Sequence, residues 1–432
     1  MDAESRDSRR GTRRNGWAGR AARLALGILL SAAIVQSVRE AVAGHLARKD
    51  SLEATRRAER WDSGDPGLPA EYARRLATER QEGDPREISR AFEDATRRGP
   101  DRAENWAGLG QALELAGNIP EARRAYERAL ELFPRSPEIN WQFANLLVRA
   151  GDATGAMAPL RAAVEGDPSL RKGAFDLAWR AGIPRDEILK NIPEDQAIFA
   201  AYLDYLDETA RVDAATEVWK RLTNLPEAID FDAAARYFDA LLNARRVDEL
   251  APMWAELARH DPSRLSWQPD DVNRITNGGF EESLLNGGFG WRVTPIEGAD
   301  EDFDGEIVHG GVRSLSVHFD GKHNLDFGHV AQYAPVEPDT SYRFVAYLRL
   351  EGITTDSGPR IAVYDAFDRE ALSLETENLT GTTLWREERL EFHTGPKTRI
   401  VLVQVVRPPS RKIDNEIGGT LWLDDVSLSA VR

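Results

Sequence analysis

Four histidines, His309, His318, His323 and His329, fall within a stretch of twenty-one residues that also holds Asp320 and Asp326. Imidazole and carboxylate are the donors that zinc and similar transition metals take. The spacing is irregular, however, and no His-x-x-x-His pair occurs. Alternation along a strand would also point His318 away from its neighbours, so a metal centre is not expected here. Just upstream, Glu297–Glu306 reads EGADEDFDGE, six carboxylates with no base. Without a fixed geometry this run reads as a solvated loop. Glycoside hydrolysis needs two carboxyl groups at a defined separation across a cleft, and nothing in the run singles out one pair. No Gly-x-Ser-x-Gly elbow, phosphate loop or dinucleotide fingerprint occurs. Cysteine is absent, which excludes thiolate nucleophiles, thiolate metal sites and disulfides. The expectation is a chain without a catalytic centre.

The elements that carry these residues are distributed along 432 residues, a length that favours several domains. A net charge of -16 argues against a nucleic-acid partner, whose phosphates would call for a basic footprint. Basic charge is instead gathered at the front, in Arg6, Arg9, Arg10, Arg13, Arg14, Arg20 and Arg23, before the uncharged run LALGILLSAAIVQSV from Leu24 to Val38. Residues 1–20 read as a basic cytoplasmic tail and 21–43 as a single transmembrane signal-anchor, with the remainder placed across the membrane by the positive-inside rule. Ala41, Val42 and Ala43 have the small-residue spacing of a signal-peptidase site, so a cleaved signal is the alternative.

After a linker at 44–68, the chain repeats with a period of 34 residues. In AENWAGLGQALELAGNIPEARRAYERALELFPRS, from Ala103 to Ser136, the residues Trp106, Leu109, Gly110, Leu113, Ala122, Tyr126, Ala129 and Pro134 fall on recurring positions. The stretch resembles the tetratricopeptide repeat. Ala144, Leu147, Ala156, Leu160, Ala163 and Pro168 occupy the same positions one period later, and Phe92, Ala95 and Pro100 one period earlier. Two further units fit, one through Leu203, Leu206, Ala215, Trp219 and Leu222, the other through Tyr237, Phe238, Leu241, Leu250, Trp254, Leu257 and Pro262. Residues 171–195 form a shortened unit, because Pro184 and Pro193 interrupt its second helix. An all-α solenoid over 69–264 is expected, since stacking hides the apolar face that each helical pair leaves bare. The resemblance implies a groove lined by first helices, where Trp141, Asn145 and Arg149 lie at i, i+4 and i+8 as candidate contacts for a protein partner.

Beyond a linker at 265–274, the apolar period changes from helical to alternating. SYRFVAYLRL and RIAVYDAF alternate, RIVLVQVV reads as a buried strand, and Gly, Pro, Asn and Asp clusters separate them. Residues 275–432 are expected to form an all-β antiparallel sandwich, with NGGFEES as its first strand. If Tyr342, Phe344, Ala346 and Leu348 face the core, Tyr347 and Arg349 point outward. Tyr364 and Gln404 join them as candidates for one glycan-binding surface, because sugars offer an apolar face and a polar rim. Trp291 and Trp385 are expected in the core.

NGGFEE followed by GW, then SYRFVAYLRL, LWREERLEF and LWLDDVSL, resemble in that order the jelly-roll of carbohydrate-binding modules and related galactose-binding-like domains. The resemblance implies a structural calcium between first and last strands, with Glu281 and Asp425 as side-chain ligands, and no required cofactor. Topology and resemblance together imply a non-catalytic scaffold at a bacterial inner membrane, periplasmic in bulk. It would take a protein partner in the repeat groove and a polysaccharide on the sandwich, in surface or exopolysaccharide assembly. A protein-assembly adaptor without glycan, or a glycan-active enzyme, are the alternatives.

Overall fold

The computed structural model describes residues 8–431 apart from 50, 63, 66, 80–83, 228, 263, 264, 266 and 270, with backbone alone for 8–21. Arg6 and Arg432 thus lie outside the described residues, as do the side chains of Arg9 to Arg20. The chain folds as two compact units, Met1–Pro193 and Glu194–Arg432.

The first unit is helical. Helix α1 spans Ser8–Ala47, α2 Leu52–Trp61, α3 Gly67–Glu79, α4 Pro85–Arg98, α5 Ala103–Leu115, α6 Ile119–Leu132, α7 Pro137–Arg149 and α8 Met157–Gly166. A 3-10 turn follows at Pro168–Leu170, then α9 at Arg171–Arg180 and α10 at Arg185–Asn191. Caps set the starts: the Ser51, Asp84 and Ser136 side chains accept from backbone N–H groups of the first turns of α2, α4 and α7. Small residues set the packing. A Cβ on Gly110 would stand 2.8 Å from the Tyr126 ring, and one on Gly108 2.3 Å from the Phe92 ring, so α5 presses its backbone onto both aromatics. The shortened unit is present as expected, with α10 confined between Pro184 and Pro193. Within α1, Ala22–Ala47 is long and apolar enough to cross a membrane, a property that signal sequences share.

In the second unit, α11 (Gln196–Glu208), α12 (Val212–Leu222), α13 (Phe231–Asn243) and α14 (Val247–His260) form two more helical pairs. Among the described residues ten strands follow: β1 Arg292–Val293, β2 Ala299–Asp304, β3 Ser314–Asp320, β4 Phe327–Pro335, β5 Ser341–Ile353, β6 Arg360–Asp365, β7 Ser373–Glu375, β8 Gly381–His393, β9 Ile400–Arg407 and β10 Gly418–Ala430. They make two five-stranded antiparallel sheets, in the orders β1-β4-β9-β6-β7 and β2-β3-β10-β5-β8. Tyr342, Phe344, Ala346, Leu348 and Leu350 of β5 are wholly buried against Val401, Val403 and Val405 of β9, so the alternation read from the sequence sets the core.

Two expectations fail locally. NGGFEES is not a strand, because Asn277 and Phe280 have φ of 48° and 57°, outside extended geometry. The segment runs along β10 where the β5 register slips between Asp424 and Ser427. Val426 N donates to Gly278 O at 2.9 Å, and a Cβ on Gly278 would stand 2.0 Å from Val426 O, which explains the glycine. The acidic run is not a loop either, since its centre is edge strand β2, paired with β3 from Ala299↔Phe319 to Asp304↔Ser314. Glu301 turns inward there, and burial raises its carboxyl above the usual carboxylate range. Charged residues on a sheet edge discourage further strand addition, which gives the carboxylates of β2 a structural reason for their place.

The sandwich is fastened to the last helical pair by the loop before β1. Phe289 lies among Phe238, Trp254 and Trp267, with ring centroids 4.8, 5.5 and 5.7 Å away. Arg292 reaches Asp239 of α13 with both terminal nitrogens, at 3.1 and 2.6 Å.

Candidate functional site

Register places a row of polar and small side chains across the face of the first sheet that points away from the sandwich core, a face on which Ala362 and Tyr364 are covered rather than open to solvent and Arg292 meets Asp239 of α13. Antiparallel partners share a face, so the pairings align Arg292, Ala331, Gln404, Ala362 and Glu375 from β1 to β7. The next row holds Tyr333, Leu402, Tyr364 and Ser373. Gln404 thus lies on the central strand between two alanines, next to a row in which two tyrosines flank Leu402. Its amide is fixed at both ends: Tyr364 Oη donates to Oε1 at 2.6 Å, and Nε2 donates to Gly328 O at 2.6 Å. The Arg369 guanidinium covers the Tyr364 ring at 3.8 Å, and Arg292 lies over Tyr333 at 5.3 Å. Burial raises both phenols above their usual value. Aromatic rings beside fixed amide, guanidinium and carboxylate groups can meet a ring that is apolar on one face and hydroxylated at its rim.

Tyr347 and Arg349 are elsewhere. Both point outward from β5, as alternation required, but β5 belongs to the other sheet. The expected single surface of four residues therefore divides into Tyr364 with Gln404 and Tyr347 with Arg349, because strand order, invisible in the sequence, assigns β5 and β6 to different sheets. Tyr347 is stacked by His309 at 3.6 Å, and its Oη donates to Glu387 at 3.1 Å, the main reason its phenol is raised. Arg349 lies over Trp422 at 5.7 Å. Trp291 is in the core beside Phe280. Trp385 is half-buried on the outer face against His309, at 5.6 Å, and the expectation of a core position fails for it.

Trp141, Asn145 and Arg149 do share one face of α7. A Cβ on Gly173 would stand 3.4 Å from the Trp141 ring, so that ring rests on the α9 backbone. Asn145 Nδ2 donates to Trp141 O at 2.8 Å, and Arg149 Nε donates to Glu114 of α5 at 2.6 Å. The face is ordered by its own contacts, with Arg149 still exposed.

Glu281 and Asp425 approach one loop from two sides. Glu281 Oε1 accepts from Val312 N at 2.8 Å, and Asp425 Oδ2 pairs with His309 Nδ1 at 2.6 Å. Neighbouring Asp424 is fully buried and accepts from the backbone N–H groups of His309, Gly310 and Asp425. Burial nonetheless raises its carboxyl. The other histidines are dispersed: His318 contacts Thr420, His323 contacts Asp320, and His329 accepts from Gly328 N. Among the described residues no group of three or more His, Cys, Asp or Glu side chains is placed to hold a metal ion.

One feature had no signal in the sequence. Asp204, Asp207, Glu208, Arg236, Asp239, Ala240 and Asn243 line a cavity of 460 Å³ on α11 and α13. Both oxygens of Asp207 are sealed from solvent without a hydrogen-bond partner, and burial pushes its carboxyl up to about 7.

The fold defines a helical repeat array followed by an all-β sandwich. Residues 78–137 and 116–170 match the tetratricopeptide repeat family. Among solved structures, the chain is similar to MamA protein, with TM-score 0.33 and 15% identity over 41% of this chain and 94% of that one. It is similar also to YrrB, described as a TPR protein with an unusual peptide-binding site, with TM-score 0.27 and 14% identity over 49% of this chain and 94% of that one. A CBM4 structure is similar with TM-score 0.28 and 13% identity, over 36% of this chain and 99% of that one. No curated protein matches this chain.

Proposed function

We propose that this chain is a non-catalytic scaffold of the bacterial envelope, held in the inner membrane by α1 with its bulk on the periplasmic side. The repeats take a segment of a protein partner along the face of Trp141, Asn145 and Arg149. The sandwich contacts glycan during surface or exopolysaccharide assembly. The observation that carries the glycan part is the five-strand row from Arg292 through Gln404 to Glu375, beside Tyr333 and Tyr364.

A glycan array probed with the purified chain tests the reading. Retained glycan that is lost on Tyr364→Ala and on Gln404→Ala supports it. Loss only on Tyr347→Ala or Arg349→Ala moves the surface to the other sheet. No retention on any glycan, with the protein partner still bound, leaves an assembly adaptor.

Calcium at Glu281 and Asp425 stands as a further proposal. Its support is the close approach of the loop, since a Cβ on Gly310 would stand 2.5 Å from Asp425 Oδ2, so backbone and carboxylates crowd one point. Melting with calcium and with chelator decides it: a Tm raised by calcium and insensitive to it in Glu281→Gln supports a cation, and equal melting in both leaves the two carboxylates as staples of the loop.

A further inference from the structure

The C-terminal turns of α1 are not free. Ala43 is 3% exposed and forms one apolar group with Ala58 of α2 and Leu68 of α3, against which Leu46 and Ala47 also pack. Arg39 Nε donates to Trp61 O at 2.9 Å, which satisfies a carbonyl in the last turn of α2 that has no helical donor. The same unbroken helix carries Leu24, Ile28, Leu29, Leu30, Ile34 and Val35 exposed upstream.

We propose that α1 is shared between two jobs: its upstream part spans the bilayer, and its last two turns are the first helix of the repeat stack, covering α2 as each later pair covers its neighbour. The proposal rests on the anchor reading above and deepens it. Stacked repeats need a covered terminal face, and α1 supplies the cover of α2 at Ala58. The uncharged run ends at Val38 and burial begins at Ala43, five residues on. At about 1.5 Å per residue the array therefore starts roughly 8 Å beyond the apolar span, within the headgroup layer rather than on a tether. The same packing protects the Ala41–Ala43 site. In the folded chain Ala43 is helical and enclosed, so a chain that folds with α1 in place keeps the segment.

The full chain, produced in a bacterium and extracted from membranes in detergent, is measured by intact mass. A mass that includes residues upstream of Gly44 is expected, and a chain beginning at Gly44 overturns the proposal. Limited proteolysis then compares Ala58→Arg with the unsubstituted chain. Cleavage between α1 and α2 is expected to accelerate at least about ten-fold, with membrane retention unchanged. Arg39→Ala, which removes only the hydrogen bond to Trp61, covers the case in which Ala58→Arg unfolds the whole array, and a two- to three-fold acceleration is expected. Unaltered cleavage in both variants, in a chain still retained by membranes, overturns the shared helix while the anchor reading stands. An uncut chain found soluble overturns both.

Discussion

The Phe289 ring stands edge-on to Phe238, centroids 4.8 Å apart at an interplanar angle of 81°, and this contact joins the loop before the sandwich to α13. Both rings are almost completely buried, with Trp254 and Trp267 beside them. Truncating a buried aromatic side chain costs about 3–5 kcal/mol. Phe289→Ala is expected to destabilise the 194–432 unit by about that amount, measured by chemical denaturation with tryptophan fluorescence. A loss under about 1 kcal/mol would mean that the contact is incidental and that helices and sandwich hold together by other means.

Gly288 makes that insertion possible. Its φ is 57°, and a Cβ there would stand 2.1 Å from Trp254 Cζ3. Gly117 has a similar φ of 78° but nothing within 4 Å of an added Cβ. Both positions resist a side chain through backbone strain of about 1 kcal/mol, whereas only Gly288 adds overpacking of about 1–3 kcal/mol. Gly288→Ala should therefore lower Tm clearly more than Gly117→Ala. Equal shifts would show that the loop yields without resistance.

How far the sequence was legible follows from these contacts. Repeats came through because one 34-residue period superimposes small residues such as Gly110 and Ala122 on equivalent packing positions, and alternation along β5 separated Phe344 from Tyr347 without error. Strand order and register did not come through. Tyr364 and Tyr347 have equal claims on alternation, and only the hydrogen-bonded ladders put them on different sheets. Arg292 and Glu375 were missed because β1 and β7 have two and three residues and give no periodic signal, and Tyr333, on the nine-residue β4, because only the ladder to β9 sets it beside Leu402 and Tyr364. The acidic run misled because charge ordinarily means solvent, yet an edge strand tolerates it.

Arg407 gives a test of a buried charge. It is 0% exposed, and its donors reach Ser357 O, Asn324 Oδ1, Leu325 O, Thr355 Oγ1 and Asn415 O at 2.5 to 3.3 Å, all neutral oxygens. Burial lowers its basicity, though arginine keeps its proton. A lysine has three donors in place of five and no planar fork, so Arg407→Lys strands two acceptors or more. A loss of about 2–4 kcal/mol is expected, read as a lowered denaturation midpoint. A lysine variant that melts with the unsubstituted chain would show that water replaces the missing donors.

Asp207 predicts a pH dependence with a definite sign. In the folded chain burial holds its proton up to about pH 7, whereas an unfolded aspartate releases it near 3.8. Between those values the native state carries a proton that the unfolded state lacks, so stability falls as pH rises. The contribution is complete below about pH 4 and lost once pH passes about 7. Asp207→Asn keeps the shape and removes the charge. It should leave stability nearly unchanged at pH 4 and raise it by about 1–3 kcal/mol at pH 8. Denaturation of both chains across that range checks the difference, which should grow through the interval and then level off. A variant that is destabilised at pH 8 would mean that the ionised carboxylate is held by a favourable partner in solution, and the cavity on α11 and α13 would then be a place where that carboxylate is satisfied rather than stranded.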